Sequence, residues 1–516
     1  VGAARLSFRV ADLRIGAVGA VLVVAACAVC VSRGATLGLE VAAVLLVFVS
    51  FVVAFLTAPH RAIALTIVLF ALVPMMKDFI TPSAGAIKDV VDLAAVLAAV
   101  ILLAVERRRM DRWVAILVGL FLVLYIIDIG HGHGGQWVEG IRLTGEPMLL
   151  LVVGFLLPEP RRNLRWALGA FVIAGVLNAL YGLLQQALGP ATLISLGYSY
   201  TDQVRTIGAH LRSFGTVDDP FSYAALLYFS VAAAYFLLRR GWLLWTIEVI
   251  LLLGLLASTV RTALLVLLGF LVLAAIHKRY GFPALCLGVA CAVIASLTLA
   301  NSSGVQVQSY DVYYTGGGYQ TISRPVSDPG SELLNGRVSA WTAAVGSKPI
   351  DWIFGRGVGQ VGTAAQRASV GVLASASTAK TDSASQATAV DSGYLATVAD
   401  VGIVGLLVQL ALFGRLIWLG TRYVRRGMFE GWMPLTFLTA LLLDALTRAS
   451  FTGFPTAFVG FMLIGVTLAA LEQDSELAAP TGSRGTSPPA PPPPRGARPV
   501  AARVIGYPPH PPSARS

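Results

Sequence analysis

The residues best suited to chemistry gather between Ser303 and Leu395, the only long polar stretch inside an otherwise apolar chain. It carries Arg324, Arg337, Arg356, Trp341, Trp352 and Asp391. Arg142, Arg212 and Arg261 fall in other hinges predicted on the same side of a membrane. A guanidinium is planar, always charged and able to grip phosphate oxygens with two parallel hydrogen bonds. Arginine is less common on the outer face, where the positive-inside rule disfavours it. A set of six there, Arg142, Arg212, Arg261, Arg324, Arg337 and Arg356, suits a diphosphate head group on that face.

Arg261 stands at the end of a tight turn, Ser258-Thr259-Val260-Arg261, between two apolar runs. It either faces a cavity or an anionic partner, or snorkels to the headgroups as an anchor. Arg337 opens GRVSAWTAAVGSKPIDWIFGRGVGQVG, where Arg337, Trp341 and the Trp352–Phe354 run fit a short amphipathic helix and a return to the membrane. Its alternative is a solvated loop charge. The glycines at 355, 357 and 359 allow close backbone approach, but they lack the strand–helix context of a phosphate loop. Asp391 lies where the loop re-enters the membrane. There a carboxylate can accept a proton from a hydroxyl, or cap a helix. His131, Gly132 and His133 do not make a metal site, and no Ser-His-Asp or HExxH pattern occurs. No metal and no cofactor is expected.

These residues need a scaffold, and the composition says which kind. The chain has 516 residues, 56% hydrophobic and 13% charged, with mean hydropathy +0.76. A soluble domain carries about a quarter charged residues. Apolar runs long enough to cross a bilayer recur along the chain, and in lipid only helices satisfy their own backbone. The fold expected is all-α, a polytopic transmembrane bundle of about fourteen spans with one large extracytoplasmic loop. Basic hinges such as ERRRMDR, PEPRRNLR, HKRYG and TRYVRRG all fall on the inner side of the alternating spans and put both termini in the cytoplasm. The net charge of +11 sits largely in such hinges and in the tail, so it is no sign of nucleic acid. Cys27, Cys30, Cys286 and Cys291 all lie in apolar runs and read as buried thiols.

The organisation predicted is membrane helices over 1–300, the external loop over 301–393, further membrane helices over 394–471 and a disordered proline-rich cytoplasmic tail over 472–516. The first span is expected at about Ile15–Val31, the sixth at about Met148–Leu157 or beginning earlier as a tilted helix, the eleventh at about Phe282–Ala300 and the twelfth at about Tyr394–Leu419. HGHGGQWVEGIRLTGEP, before the sixth, reads as an external loop, as does Gly189–Pro220. The tail, with PPAPPPPR, is either a docking segment for a protein partner or simply solvated.

Four stretches resemble the family of O-antigen ligase and O-antigen polymerase-like bacterial membrane glycosyltransferases. They are LRSFGTVDDPFSYAALL (211–227), LLASTVRTALLVLLG (255–269), GRVSAWTAAVGSKPIDWIFGRGVGQV (336–361) and DSGYLATVADVGIVGLLVQL (391–410). The resemblance covers about residues 140–470 and implies a GT-C-like helical fold. It also implies inverting transfer of a glycan from a polyprenyl diphosphate to an acceptor hydroxyl, without a required metal. Arg261 and Arg337 match the arginines that bind the diphosphate. Ligase members have a histidine–asparagine pair where this chain has Asp391-Ser392. That departure moves the expectation from a lipopolysaccharide ligase toward a polysaccharide polymerase or a ligase for another acceptor.

The sites implied are Asp391, Arg337 and Arg261 as catalytic residues, with Arg212, Arg142, Arg356, Arg324 and Trp341 binding substrate. The partners implied are the lipid-linked glycan, an acceptor glycan or lipid, and membrane lipids, at the outer face of the bacterial plasma membrane. The competing classes are a peptidoglycan-type polymerase, whose motif order is not found here, and a transporter or flippase for lipid-linked oligosaccharides. The latter would show internal repeats and mid-span ionisable residues; Glu40, Asp92, Glu248 and Asp444 are the acidic candidates.

Overall fold

The computed structural model describes residues 35–80, 82–106, 110–128, 134–198, 204–207, 210–238, 241–277, 309–315, 318–324, 348–360, 392–446 and 448–477. Helix predominates among them. In order come α1 (Ala35–Thr57), α2 (Pro59–Phe79), α3 (Ala86–Glu106), α4 (Arg112–Ile127), α5 (Gly134–Leu156) and α6 (Pro160–Ser195). The hairpin β1 (Arg205–Ile207) and β2 (His210–Arg212) follows, then α7 (Pro220–Leu237), α8 (Trp242–Ala257) and α9 (Arg261–His277). A second antiparallel hairpin, β3 (Ser309–Thr315) and β4 (Gly318–Arg324), precedes α10 (Pro349–Phe354). The chain then runs through α11 (Gly393–Arg425), α12 (Trp432–Asp444) and α13 (Thr456–Leu477). The molecule divides at Gln473; of 474–516, the described residues 474–477 are helical.

Among the described residues five helices, α2, α6, α7, α11 and α13, are long and apolar enough to cross a membrane. The side chains show why water is the wrong surroundings. On α4, Val114, Val118, Phe121 and Tyr125 form the buried face, while Ile116, Leu120, Val123 and Ile127 form an exposed one. Both rows have helical spacing. A helix apolar on both faces is solvated by lipid rather than water. On α6, Ile173, Leu177, Leu180 and Leu184 make the same outward row.

Packing pairs α1 with α3, α2 with α6, α6 with α7 and α8, α4 with α11, and α9 with α12. The core carries stacked rings: Phe229 lies 6.0 Å from Phe171 and 5.5 Å from Phe437. Such pairs contribute about 1 kcal/mol each beyond the area they bury. Where α5 crosses α13, Gly154 and Gly465 let the two backbones touch; a Cβ at either would strike the other helix's main chain.

Three boundaries bear on the sequence expectation. The sixth span takes the earlier of its two expected starts: α5 begins at Gly134, so most of the predicted loop is helix. Its charges made it look like a loop, but they are paired against α3, as described below. The twelfth span is longer than expected and bent: Val401 and Gly402 leave helical geometry, with Gly402 at φ 70°. Likewise α6 runs past the expected start of an external loop at Gly189 and bends there, at φ 74°. The first and eleventh spans, most of 301–393 and the tail from 478 lie outside the described residues.

Candidate functional site

The segment 211–217 is fastened to α6 by side-chain amides. Gln185 Oε1 accepts the N–H groups of Phe214 (3.1 Å) and Gly215 (2.9 Å), and its Nε2 donates to Gly215 O. Asn178 Oδ1 accepts from Thr216 N and Thr216 Oγ1, both at 2.9 Å. Gln186 Nε2 reaches Leu211 O, Ser213 Oγ and Ala257 O. Buried backbone groups that no helix or strand can satisfy are thereby paired, and the loop is held in one place.

That loop delivers α7. Asp219 caps it, accepting from Phe221 N and Ser222 N at 2.7 and 3.0 Å, the usual service of an aspartate there. Two guanidinium groups flank this first turn. Arg212 lies over the Phe221 ring at 4.8 Å, with Nε 3.4 Å from Ser258 O. Arg448 donates to Ser222 Oγ at 2.6 Å and stands 3.9 Å from both Asp219 and Asp444. Asp444 in turn accepts from Ser450 Oγ at 2.6 Å.

Two further chain segments meet here. The α8–α9 turn is tied in through Ser213 N, which donates to Ala257 O. Inside it Thr259 adopts φ 52°, left-handed backbone that costs a β-branched residue about 1–2 kcal/mol. The turn opens α9 on Arg261. The start of α11 is the other segment: Gly393 N (2.9 Å) and Ser392 Oγ (3.2 Å) donate to Ala445 O, beside Asp444. Gly393 is required there, since a Cβ would press on Phe451 and Ala445.

The structure thus joins Arg212 to the turn that carries Arg261. The side chain of Arg261, and Arg337, Trp341 and Asp391 altogether, lie outside the described residues. Ser392 occupies the N-cap position of α11 without a side-chain capping bond. Arg324 ends β4, paired in register with Ser309. Arg356 is exposed and its N–H donates to Ala399 O at 2.7 Å. Arg142 sits on a helix rather than in a loop, and its guanidinium is already engaged. It binds Asp89 through two parallel bonds, 2.7 and 2.5 Å, and Glu139 at 2.8 Å. Arg448 was the residue that sequence reasoning missed as a site residue. Its one signal was an arginine in a short turn between two apolar runs.

The glycine-rich segment 355–360 does not present its amides to a ligand. Val358 N donates to Asp128 Oδ2, and Gly359 N to Asp400 Oδ1 at 3.2 Å. A Cβ at Gly355, Gly359 or Gly402 would collide with backbone of α11, α5 or α10 respectively. These glycines seat α10 on the bend of α11. That leaves Ile350, Trp352, Ile353 and Phe354 exposed on α10, beside Arg356, as an interfacial anchor would be.

Among the described residues no three His, Cys, Asp or Glu side chains are placed to hold a metal ion. No protein-family model matches this sequence, and no curated protein matches it. The likeness to O-antigen ligase-like proteins therefore rests on the four sequence stretches alone.

Proposed function

We propose that this protein transfers a glycan, with inversion, from a polyprenyl-diphosphate carrier to a hydroxyl acceptor at the outer face of the bacterial plasma membrane. It acts as a polysaccharide polymerase or an O-antigen-ligase-like enzyme, on a GT-C-like bundle of about fourteen spans with both termini cytoplasmic. One observation carries the reading. Arg212 and Arg448 flank the first turn of α7, directly beside the turn that opens on Arg261 and the helix that follows Asp391.

In this mechanism the arginines, with Arg337, neutralise charge growing on the diphosphate leaving group, which favours the transition state over the ground state. Asp391 orients or deprotonates the acceptor hydroxyl as it attacks the anomeric carbon. Arg356 and Arg324 guide the carrier's head group, and Trp341 packs on a sugar face. Arg142 is reassigned from substrate binding to the scaffold, because Asp89 and Glu139 already hold it.

The test is incubation of the purified protein with a defined lipid-diphosphate oligosaccharide. Released lipid diphosphate and a glycan ladder support the proposal, with both lost in Arg261→Ala and Arg337→Ala. Movement of intact lipid-linked glycan across a vesicle membrane without release supports the transporter instead.

A further inference from the structure

Six ionisable side chains meet where α3 packs on α5. Lys88, Asp89 and Asp92 share one face of α3, and Glu139, Arg142 and Glu146 share one face of α5, each at helical spacing. Four carboxylates thus stand against two cations. The two cations are already committed. Arg142 holds Asp89 and Glu139. Lys88 lies 2.8 Å from Glu146 and 3.3 Å from Asp89, within ion-pair distance but without hydrogen-bond alignment to Glu146. The Lys88 ammonium also sits 4.2 Å from the centre of the Phe458 ring on α13.

Asp92 is left over. It is 2% exposed, and neither carboxylate oxygen has a hydrogen-bond partner. It stands one turn beyond Lys88, and the charges of Lys88, Glu146, Asp89 and Arg142 act on it. An ionised carboxylate buried without a partner is expensive, and a group so placed in a membrane bundle takes a counter-charge or a proton. No three of the described acidic groups converge as a metal cage.

We propose that Asp92 is a proton-binding site. In one state its carboxyl group is protonated and Lys88 serves Glu146 and Asp89. When the O–H bond breaks and the proton leaves to water, the carboxylate draws on Lys88, one helical turn away. Lys88 then loosens from Glu146 and shifts against Phe458, so the proton is felt at the contact of α3 with α13. The groups that face Asp92 are Lys88 and Asp89 from its own helix and Arg142 and Glu146 from α5. The site does not depend on glycan transfer, so it stands or falls separately from that activity.

Infrared difference spectroscopy of the full chain in detergent micelles tests it. Wild-type protein should show the carbonyl band of a protonated carboxylic acid that vanishes at high pH. The band should be absent from Asp92→Asn and return, titrating, in Asp92→Glu. Asp92→Glu guards against a misfolded Asp92→Asn, since its band needs only a folded cluster. A pH-dependent band unchanged in Asp92→Asn would overturn the assignment, as would no such band in wild type at any pH. If Na⁺ at constant ionic strength raised the Tm of wild type and not of Asp92→Asn, the ligand would be a metal ion and the proposal would be wrong.

Discussion

Arg448 and Arg142 are the same residue type, yet their surroundings assign them different work. The guanidinium of Arg142 is filled by two carboxylates, one of them bidentate. That of Arg448 makes one short bond, to a neutral hydroxyl, and keeps both nearby carboxylates at 3.9 Å. A cation held this way retains donors for an incoming anion. Arg448→Ala should therefore lower glycan transfer on the order of 100-fold, the usual cost of losing one transition-state donor. Membrane levels should stay normal. Arg142→Ala should instead cost about 2 kcal/mol of stability, less than a fully buried pair because the side chains keep some access to solvent. Its signature is a lower Tm and yield, with turnover per folded molecule nearly unchanged. Equal activity losses without a Tm change in both variants would contradict this division. The distinction was not legible in the sequence, because both arginines simply stood between apolar runs; partners far along the chain decide it.

At the scale of elements, helices were easy to read where both faces are apolar, as in α4, and hard where charge is buried. Residues 134–147 looked like a loop because Glu139, Arg142 and Glu146 seemed to need water. Their helical spacing was present, but nothing local showed that Lys88 and Asp89 on another helix would meet them. The glycine-rich segment was legible in kind: its glycines allow close backbone approach, and the structure uses it to seat α10 on α11. Gly402→Ala puts a Cβ into the backbone at Ile353 and forces a residue at φ 70°. It should detach α10 from the bend of α11, read as new protease cleavage within 348–360.

Asp111 joins elements in a different way. It caps α4 and accepts from Arg415 Nε (3.0 Å) and Nη2 (2.5 Å) on α11. Burial alone would raise its pKa, but the bonds from Arg415, Val114 N and Trp113 N outweigh that and hold it below the ordinary carboxylate range. A carboxyl lowered on folding stabilises the protein above its unfolded pKa of about 3.9, and that contribution is lost as pH falls through the folded value. Wild-type Tm should therefore drop on acidification across that window by more than that of Asp111→Asn. Parallel curves would show that the clasp contributes nothing.

Across the whole molecule, alternating hinges and apolar runs made a helical membrane bundle readable from composition. The meeting of residues 211–222, 257–261, 392–394 and 444–450 was not, since they are far apart along the sequence. The sequence stretches entering three of these segments were picked out; the fourth, around Arg448, was found only through its contact with Ser222. If this meeting point grips a lipid diphosphate, its arginines should matter together and only for molecules bearing that group. The most direct measurement is release of polyprenyl diphosphate from a defined lipid-linked oligosaccharide by purified protein. The account expects release coupled to glycan elongation in wild type, and its loss in Arg212→Ala, Arg261→Ala and Arg448→Ala proteins that remain folded. Wild-type rates of release in all three, or no release by wild type while intact carrier crosses the bilayer, would contradict it.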